Sequence, residues 1–187
     1  MQPGQSGKKT PKAPATTYAA RRRHQQRSKP KKVDIVGQAP LTVYAKLYEG
    51  PVTEIGTVWR ALWRAVVERG LAEKITLAVG AARDAPDANG NIAYRAGVAL
   101  CEPLTKTGDF EVLQIEGGRY ASYRLIGPYS GIADAFPRLF GEWLPASGYE
   151  ADDRYVLELY RNNPYETPES ELVTDLLMPI RERDAES

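Results

Sequence analysis

The sequence predicts an α+β fold of two strand-helix-strand-strand modules related by a pseudo-twofold axis, on three observations. The first is an internal correspondence: residues 44–70, YAKLYEGPVTEIGTVWRALWRAVVERG, run parallel to residues 121–148, ASYRLIGPYSGIADAFPRLFGEWLPASG, a period near 77 residues. Gly50-Pro51 falls on Gly127-Pro128, Thr53 on Ser130, Ile55 on Ile132, Trp59 on Phe136, Leu62 on Leu139 and Trp63 on Phe140. The second is a change of period within each copy, from alternation before the Gly-Pro breaker to helical spacing after it. The third is that two further apolar segments follow each helical stripe, separated by connectors rich in Pro, Gly, Asn and Asp.

Taken in order, Leu41 to Tyr48 alternates β-formers and reads as a strand. Ile55, Trp59, Leu62 and Val66 recur at helical spacing after Thr53, which is the expected N-cap, and Gly70 is the expected left-handed stop. Trp59, Leu62, Phe136 and Leu139 lie on the helical stripes and are expected in the core. Ile75 to Ala82 and Ile92 to Leu100 are strands on either side of DAPDANG. Phe110 to Ile115 and Arg119 to Ile126 flank Gly117-Gly118, a hairpin signal. In the second copy Ile132, Phe136, Leu139, Phe140 and Trp143 repeat the stripe, but Pro137 predicts either a kink or a late start capped by Asp134. Tyr155 to Tyr160 and Leu172 to Ile180 complete it around NNPYETPES. The domain is expected over 33–182, with module one at about 33–104, module two at about 108–182 and a short tail at 183–187. Units of about 70 residues bury too little surface to stand alone, so the two are expected to share antiparallel sheet and to leave a ligand groove along their seam.

Composition narrows the chemistry. The 187 residues carry a net charge of +1, but residues 1–32 hold ten Lys and Arg and no acid, against fifteen basic and twenty-four acidic residues afterwards. That first segment lacks any apolar face and reads as a disordered basic tail. Arg21, Arg22 and Arg23 within it are the candidate nucleic-acid contact, of the nonspecific phosphate-neutralising kind. The tail also holds the sole histidine, His24, so neither a Ser-His pair nor a His-rich metal centre is expected in the body. The acidic group Glu150, Asp152 and Asp153 reads as a solvated patch, and no metal or cofactor is expected. A lone Cys101 cannot form an internal disulfide and reads as an apolar filler at a strand end; with no apolar run long enough to span a bilayer, a cytoplasmic location is expected.

One acidic residue stands apart. In VLELYR, alternation sends Val156, Glu158 and Tyr160 to one face and the leucines to the other, placing a carboxylate among apolar and aromatic neighbours. Such a group must be exposed, paired with an arginine such as Arg124 or Arg161, or used. Tyr129, Trp63, Trp143 and Tyr160 are the candidate ring walls of a groove, where flat rings stack on ligands and attract cations. Asp175 reads as a structural acceptor in the last strand.

The succession GGRYASYRLIGPYSGI, FGEWLPASGYE and VLELYRNNPYETPESELVTDLLMPI resembles the gyrase-inhibitor-like family, the effector-binding domain of AraC-type and multidrug-sensing regulators. The resemblance spans roughly residues 33–180 and is stronger over the second copy. It implies a groove between modules that takes lipophilic, often cationic, small molecules, with Glu158 at its floor. The counterpart of Glu158 in the first copy, near Gly80, is not acidic, so the groove is expected to be polar on one side only. It also implies two alternative roles: hydrolysis of cyclopropane-bearing genotoxic compounds using Glu158, or regulation of a protein partner such as gyrase or the transcription machinery. Thirty-two polar residues are too few for the helix-turn-helix reader of the regulators, so the expected role is a stand-alone small-molecule binder rather than an enzyme.

Overall fold

The alternating, β-branched segments pair into one sheet because each has an apolar set on at least one face to bury. The computed structural model describes residues 32–183, so Arg21, Arg22 and Arg23 lie outside the described residues. Nine strands are present among them: β1 (Val33–Gln38), β2 (Leu41–Pro51), β3 (Ile75–Ala82), β4 (Asn91–Leu100), β5 (Glu111–Ile115), β6 (Gly118–Ile126), β7 (Tyr149–Ala151), β8 (Val156–Tyr160) and β9 (Val173–Glu182). Helix α1 (Gly56–Glu68) follows β2, while α2 (Ile132–Arg138), a π-helical segment Leu139–Trp143 and α3 (Leu144–Ala146) follow β6. The sheet order is β1-β6-β9-β8-β3-β4-β2-β5, with β7 beside β9, and every pairing is antiparallel.

That order reads the same from either end, which is the pseudo-twofold relation of the two modules. The axis falls at the β3–β8 pair, where Gly80 sits opposite Glu158. Registers extend the equivalence outward: Gly80 pairs Ala96 and Glu158 pairs Leu176, so Tyr94 in β4 occupies the place of Thr174 in β9, and Arg95 that of Asp175. The sheet curls into a half-barrel. Val43 of β2 and Tyr120 of β6, with four strands between them in the order, join Val79, Leu157, Leu159 and Leu177 in one cluster on the inner face. The outer face carries the helices over two separate clusters, Leu62, Val66, Ala96 and Val98 under α1 and Ala121, Leu139, Leu176 and Met178 under α2 and its π-helical extension.

Several local expectations are corrected. Thr53 lies in a short 3-10 turn, Val52–Glu54, and α1 starts at Gly56 with no side-chain cap; the Thr57 hydroxyl instead donates to the Glu54 carbonyl at 2.7 Å. Gly70 does stop the helix, at φ +61°, with Leu71 N–H bonded to the Val66 carbonyl and Gly70 N–H to that of Val67. The second helix begins at Ile132 and carries Pro137 inside it; the missing N–H is absorbed by the π-helical turn that follows. The hairpin expected across Gly117-Gly118 does not form: β5 pairs with β2, and β6 with β1 and β9. A Cβ on Gly117 would stand 2.7 Å from the Pro40 ring, so this glycine pair marks a close chain approach at the crossing between modules. Cys101 is exposed just beyond β4 rather than buried.

Candidate functional site

The seam on the outer face, between the two helix-covered clusters, is where the aromatic and acidic candidates meet. Glu158 projects from the centre of β8 and is half-buried. Two phenols donate to its Oε2, Tyr94 from β4 and Tyr160 from β8, each at 2.6 Å. Trp59 on α1 donates its indole N–H to the Tyr94 hydroxyl at 3.3 Å, which leaves that hydroxyl's proton for the carboxylate. The clamp therefore draws one donor from each module, with β3 between them.

Gly80 makes this possible. A Cβ there would overlap the Tyr94 hydroxyl outright and lie 2.5 Å from Glu158 Oε2. The strand centre thus carries no side chain so that a phenol from β4 can reach across β3 to β8.

Burial pushes the Glu158 carboxyl above the ordinary carboxylate value, and the donated phenol hydrogen bonds of Tyr160 and Tyr94 pull it part of the way back. Both phenols are held well above the usual phenol range, by burial first and then by the neighbouring carboxylate. They remain hydrogen-bond donors throughout the physiological range. Among the described residues, none of the ion pairs involves Glu158. The arginines that sequence alone offered as partners are elsewhere: Arg124 and Arg161 both bond Asp175, on the inner face. Strand alternation decides this, since Arg161 and Leu159 share a face that Glu158 and Tyr160 do not.

Rings enclose the carboxyl. Tyr160 meets Trp59 edge-on at 5.0 Å and Tyr129 edge-on at 5.2 Å, and Trp63 stacks beyond Trp59 at 6.4 Å. Of the residues singled out in the sequence, Glu158, Tyr160, Tyr129 and Trp63 come together. Trp143 does not join them; it stacks on Tyr149 at 6.3 Å against the cluster under α2. Trp59, expected in the core, packs half-buried against the cluster under α1 and also joins the ring assembly, with its indole N–H on the acceptor that Tyr94 supplies. Tyr94 and Gly80 were not singled out as site residues. The available signal was a glycine in the interior of an apolar strand, which marks close approach by another group.

Two acids of the patch read from the sequence are ion-paired: Glu150 with Arg181 at 2.5 Å and Asp152 with Arg154 at 3.0 Å. Chemically, the seam offers one oriented carboxylate in an aromatic surround. It can neutralise a cation or exchange a proton, and it can cover flat apolar surface.

The sequence pattern of the family described as the GyrI-like small molecule binding domain matches residues 31–181. The fold is similar to that of SAV2435 bound to tetraphenylphosphonium, with a TM-score of 0.62 at 16% identity over 80% of this chain and 94% of that one. It is also similar to the EcmrR C-terminal domain, with a TM-score of 0.67 at 15% identity over 81% and 98% of the two chains. A hydrolase from Listeria innocua shares the fold at a TM-score of 0.56, 10% identity, covering 81% of this chain and 92% of that one. Among the described residues no helix is long and apolar enough to cross a membrane.

Proposed function

The chain belongs to the family of GyrI-like small molecule binding domains, and from that premise we propose that its ligand is a lipophilic cation seated against Glu158. The observation that carries this reading is the clamp itself: two phenols orient a half-buried carboxylate that no cationic side chain neutralises among the described residues. Leaving a desolvated anion unpaired is costly, and a ligand that brings the missing charge recovers that cost. SAV2435, which shares the fold, is seen with a lipophilic cation.

The rings supply the rest. Trp59, Trp63, Tyr129 and Tyr160 present apolar faces and the negative side of their quadrupoles to the same cation. Covering about 200 Å2 of apolar ligand surface at ~25 cal/mol per Å2 gives roughly 5 kcal/mol before the cost of association. Burial alone is therefore too weak, and the carboxylate contact decides whether binding is useful. Tyr160 bridges Trp59 and Tyr129, so a ligand seated against the carboxylate meets all three rings.

Binding rather than turnover is our reading, since the hydroxyls bonded to the carboxyl among the described residues are two phenols held protonated, not an activated nucleophile. Titration of tetraphenylphosphonium into the wild type and Glu158→Gln tests both points. The variant is expected to bind at least about tenfold more weakly, equivalent to ~1.4 kcal/mol, while an uncharged ligand of the same shape binds both proteins alike. Mass spectrometry of the recovered ligand should show it unaltered. Equal affinity in the two proteins removes Glu158 from the site.

A further inference from the structure

The inner face of the half-barrel carries a second constellation that the outer site does not use. A cavity of about 420 Å3 opens beside β1, β6 and β9, lined by Asp34, Ser122, Arg124, Arg161, Asp175 and Leu177 among others. At its base Asp175, whose side chain is 6% exposed, accepts hydrogen bonds from Arg124 Nε at 2.7 Å, Arg124 Nη2 at 2.9 Å and Arg161 Nε at 2.7 Å. We propose that this cavity is a binding site for a small organic carboxylate, received by the guanidinium groups of Arg161 and Arg124 with the Ser122 hydroxyl alongside.

Three features of the cluster point the same way. The first is charge. One buried carboxylate faces two guanidinium groups, so the cluster carries one positive charge in excess, and the other lining acid, Asp34, lies 3.1 Å from Lys32. Burial would push the Asp175 carboxyl up, but the hydrogen bonds and charges of Arg124 and Arg161 outweigh it and hold it below the usual range, so it stays ionised and keeps both arginines in place.

The second is donor geometry. Arg161 spends only Nε on Asp175, which leaves both of its terminal amino groups unused among the described residues. These form the planar fork that matches a carboxylate. The arginine side chains are 61% and 41% exposed, so the fork is reachable from solvent while Asp175 is not.

The third is that the fold does not require the cluster. The equivalent positions in module one are Leu47, Arg83 and Arg95, and there is no triad there: Arg95 bonds Glu111 on β5, and Arg83 lies over the Tyr155 ring at 4.4 Å. A brace needed to hold the sheet together would be expected in both halves. The lining also favours an organic monoanion over phosphate. The excess charge is a single unit, Asp34 stands at the rim, and Val36 and Leu177 offer an apolar floor for the body of a small acid.

The test is amide chemical-shift mapping of the full chain with sodium benzoate, with sodium phosphate and sodium chloride as comparison arms. Benzoate is expected to move the amides of residues 36–38, Ser122 and Arg161 in a saturable way. Arg161→Gln is expected to weaken this at least about tenfold while leaving the melting temperature near wild type, since Arg124 still holds Asp175. Arg124→Gln serves as a second variant with the same expected loss, and Glu158→Gln is expected to bind benzoate as the wild type does, which separates this site from the outer one. Unsaturable or scattered shifts, undiminished binding by both arginine variants, or phosphate binding more tightly than benzoate would each overturn the proposal.

Discussion

The two modules meet on equal terms at β3 and β8, yet they furnish the centre unequally. Where module two has Glu158 and Tyr160, module one has Gly80 and Ala82; where module one has Tyr94, module two has Thr174. Each polar group of the clamp thus faces a small residue at the equivalent place, with Thr174 the exception: its buried hydroxyl has no partner among the described residues. The lesson is physical. Carboxylates at both 80 and 158 would be cross-strand neighbours, and like charges directly opposite one another destabilise a sheet. A symmetric frame can hold one anion at its axis only by breaking its own symmetry in side-chain size.

The sharpest way to break the comparison is to give module one a side chain at the axis. Gly80→Val places a branched group where the Tyr94 hydroxyl and Glu158 Oε2 now sit, so cation affinity should vanish and the melting temperature should fall by several degrees. Thermal unfolding together with the phosphonium titration measures both, and wild-type binding by this variant would show that the axis is not the site.

A smaller effect is expected from removing one donor at a time. Tyr94→Phe takes away the phenol supplied by module one and Tyr160→Phe that supplied by module two. Each should raise the Glu158 carboxyl further, because each phenol currently pulls it down. The sign is fixed: cation binding needs the ionised carboxylate, so it is present above the folded-state value and lost as pH falls through it. Both variants should therefore lose binding at a higher pH than wild type. The same raised value affects stability in the opposite sense, since the protonated carboxyl favours the folded state and that contribution is lost as pH rises through the folded value. A midpoint that moves in only one variant would show that the two modules hold the carboxylate unequally.

The smallest effect on binding should come from Trp143→Leu. This ring stacks on Tyr149 away from the clamp, so its loss should cost stability of order 1–2 kcal/mol and leave cation affinity unchanged. Chemical denaturation alongside titration checks this, and weakened binding would extend the site to the helix of module two.

Much of the frame was legible because it follows from short-range rules. Alternation in Leu41–Tyr48 and Val156–Tyr160, the stripe after Gly50-Pro51 and the left-handed stop at Gly70 are each set within a few residues. The errors lie where distant chain decides. Gly117-Gly118 has the chemistry of a hairpin, but β5 finds β2 and β6 finds β9 because the apolar faces bury better that way. Trp59 has the spacing of a core residue and does pack against the cluster under α1, but only the fold brings the buried Tyr94 hydroxyl to its indole N–H.

The carboxylate of Glu158 could be singled out within its own strand, because a charge between apolar neighbours is anomalous wherever it occurs. Tyr94 and Gly80 could not be tied to it, since they lie 64 and 78 residues from Glu158 along the chain and only the pairing of β3 with β4 and β8 brings them beside it. By itself the sequence determined the elements, their duplication in type and the one suspect acid, all of which depend on local spacing and composition. Tertiary structure alone decided which acid Arg124 and Arg161 share, which phenols reach the carboxylate and which glycine lets them pass. Those are matters of strand register, and register is set by burying whole faces across the sheet rather than by any short stretch of chain.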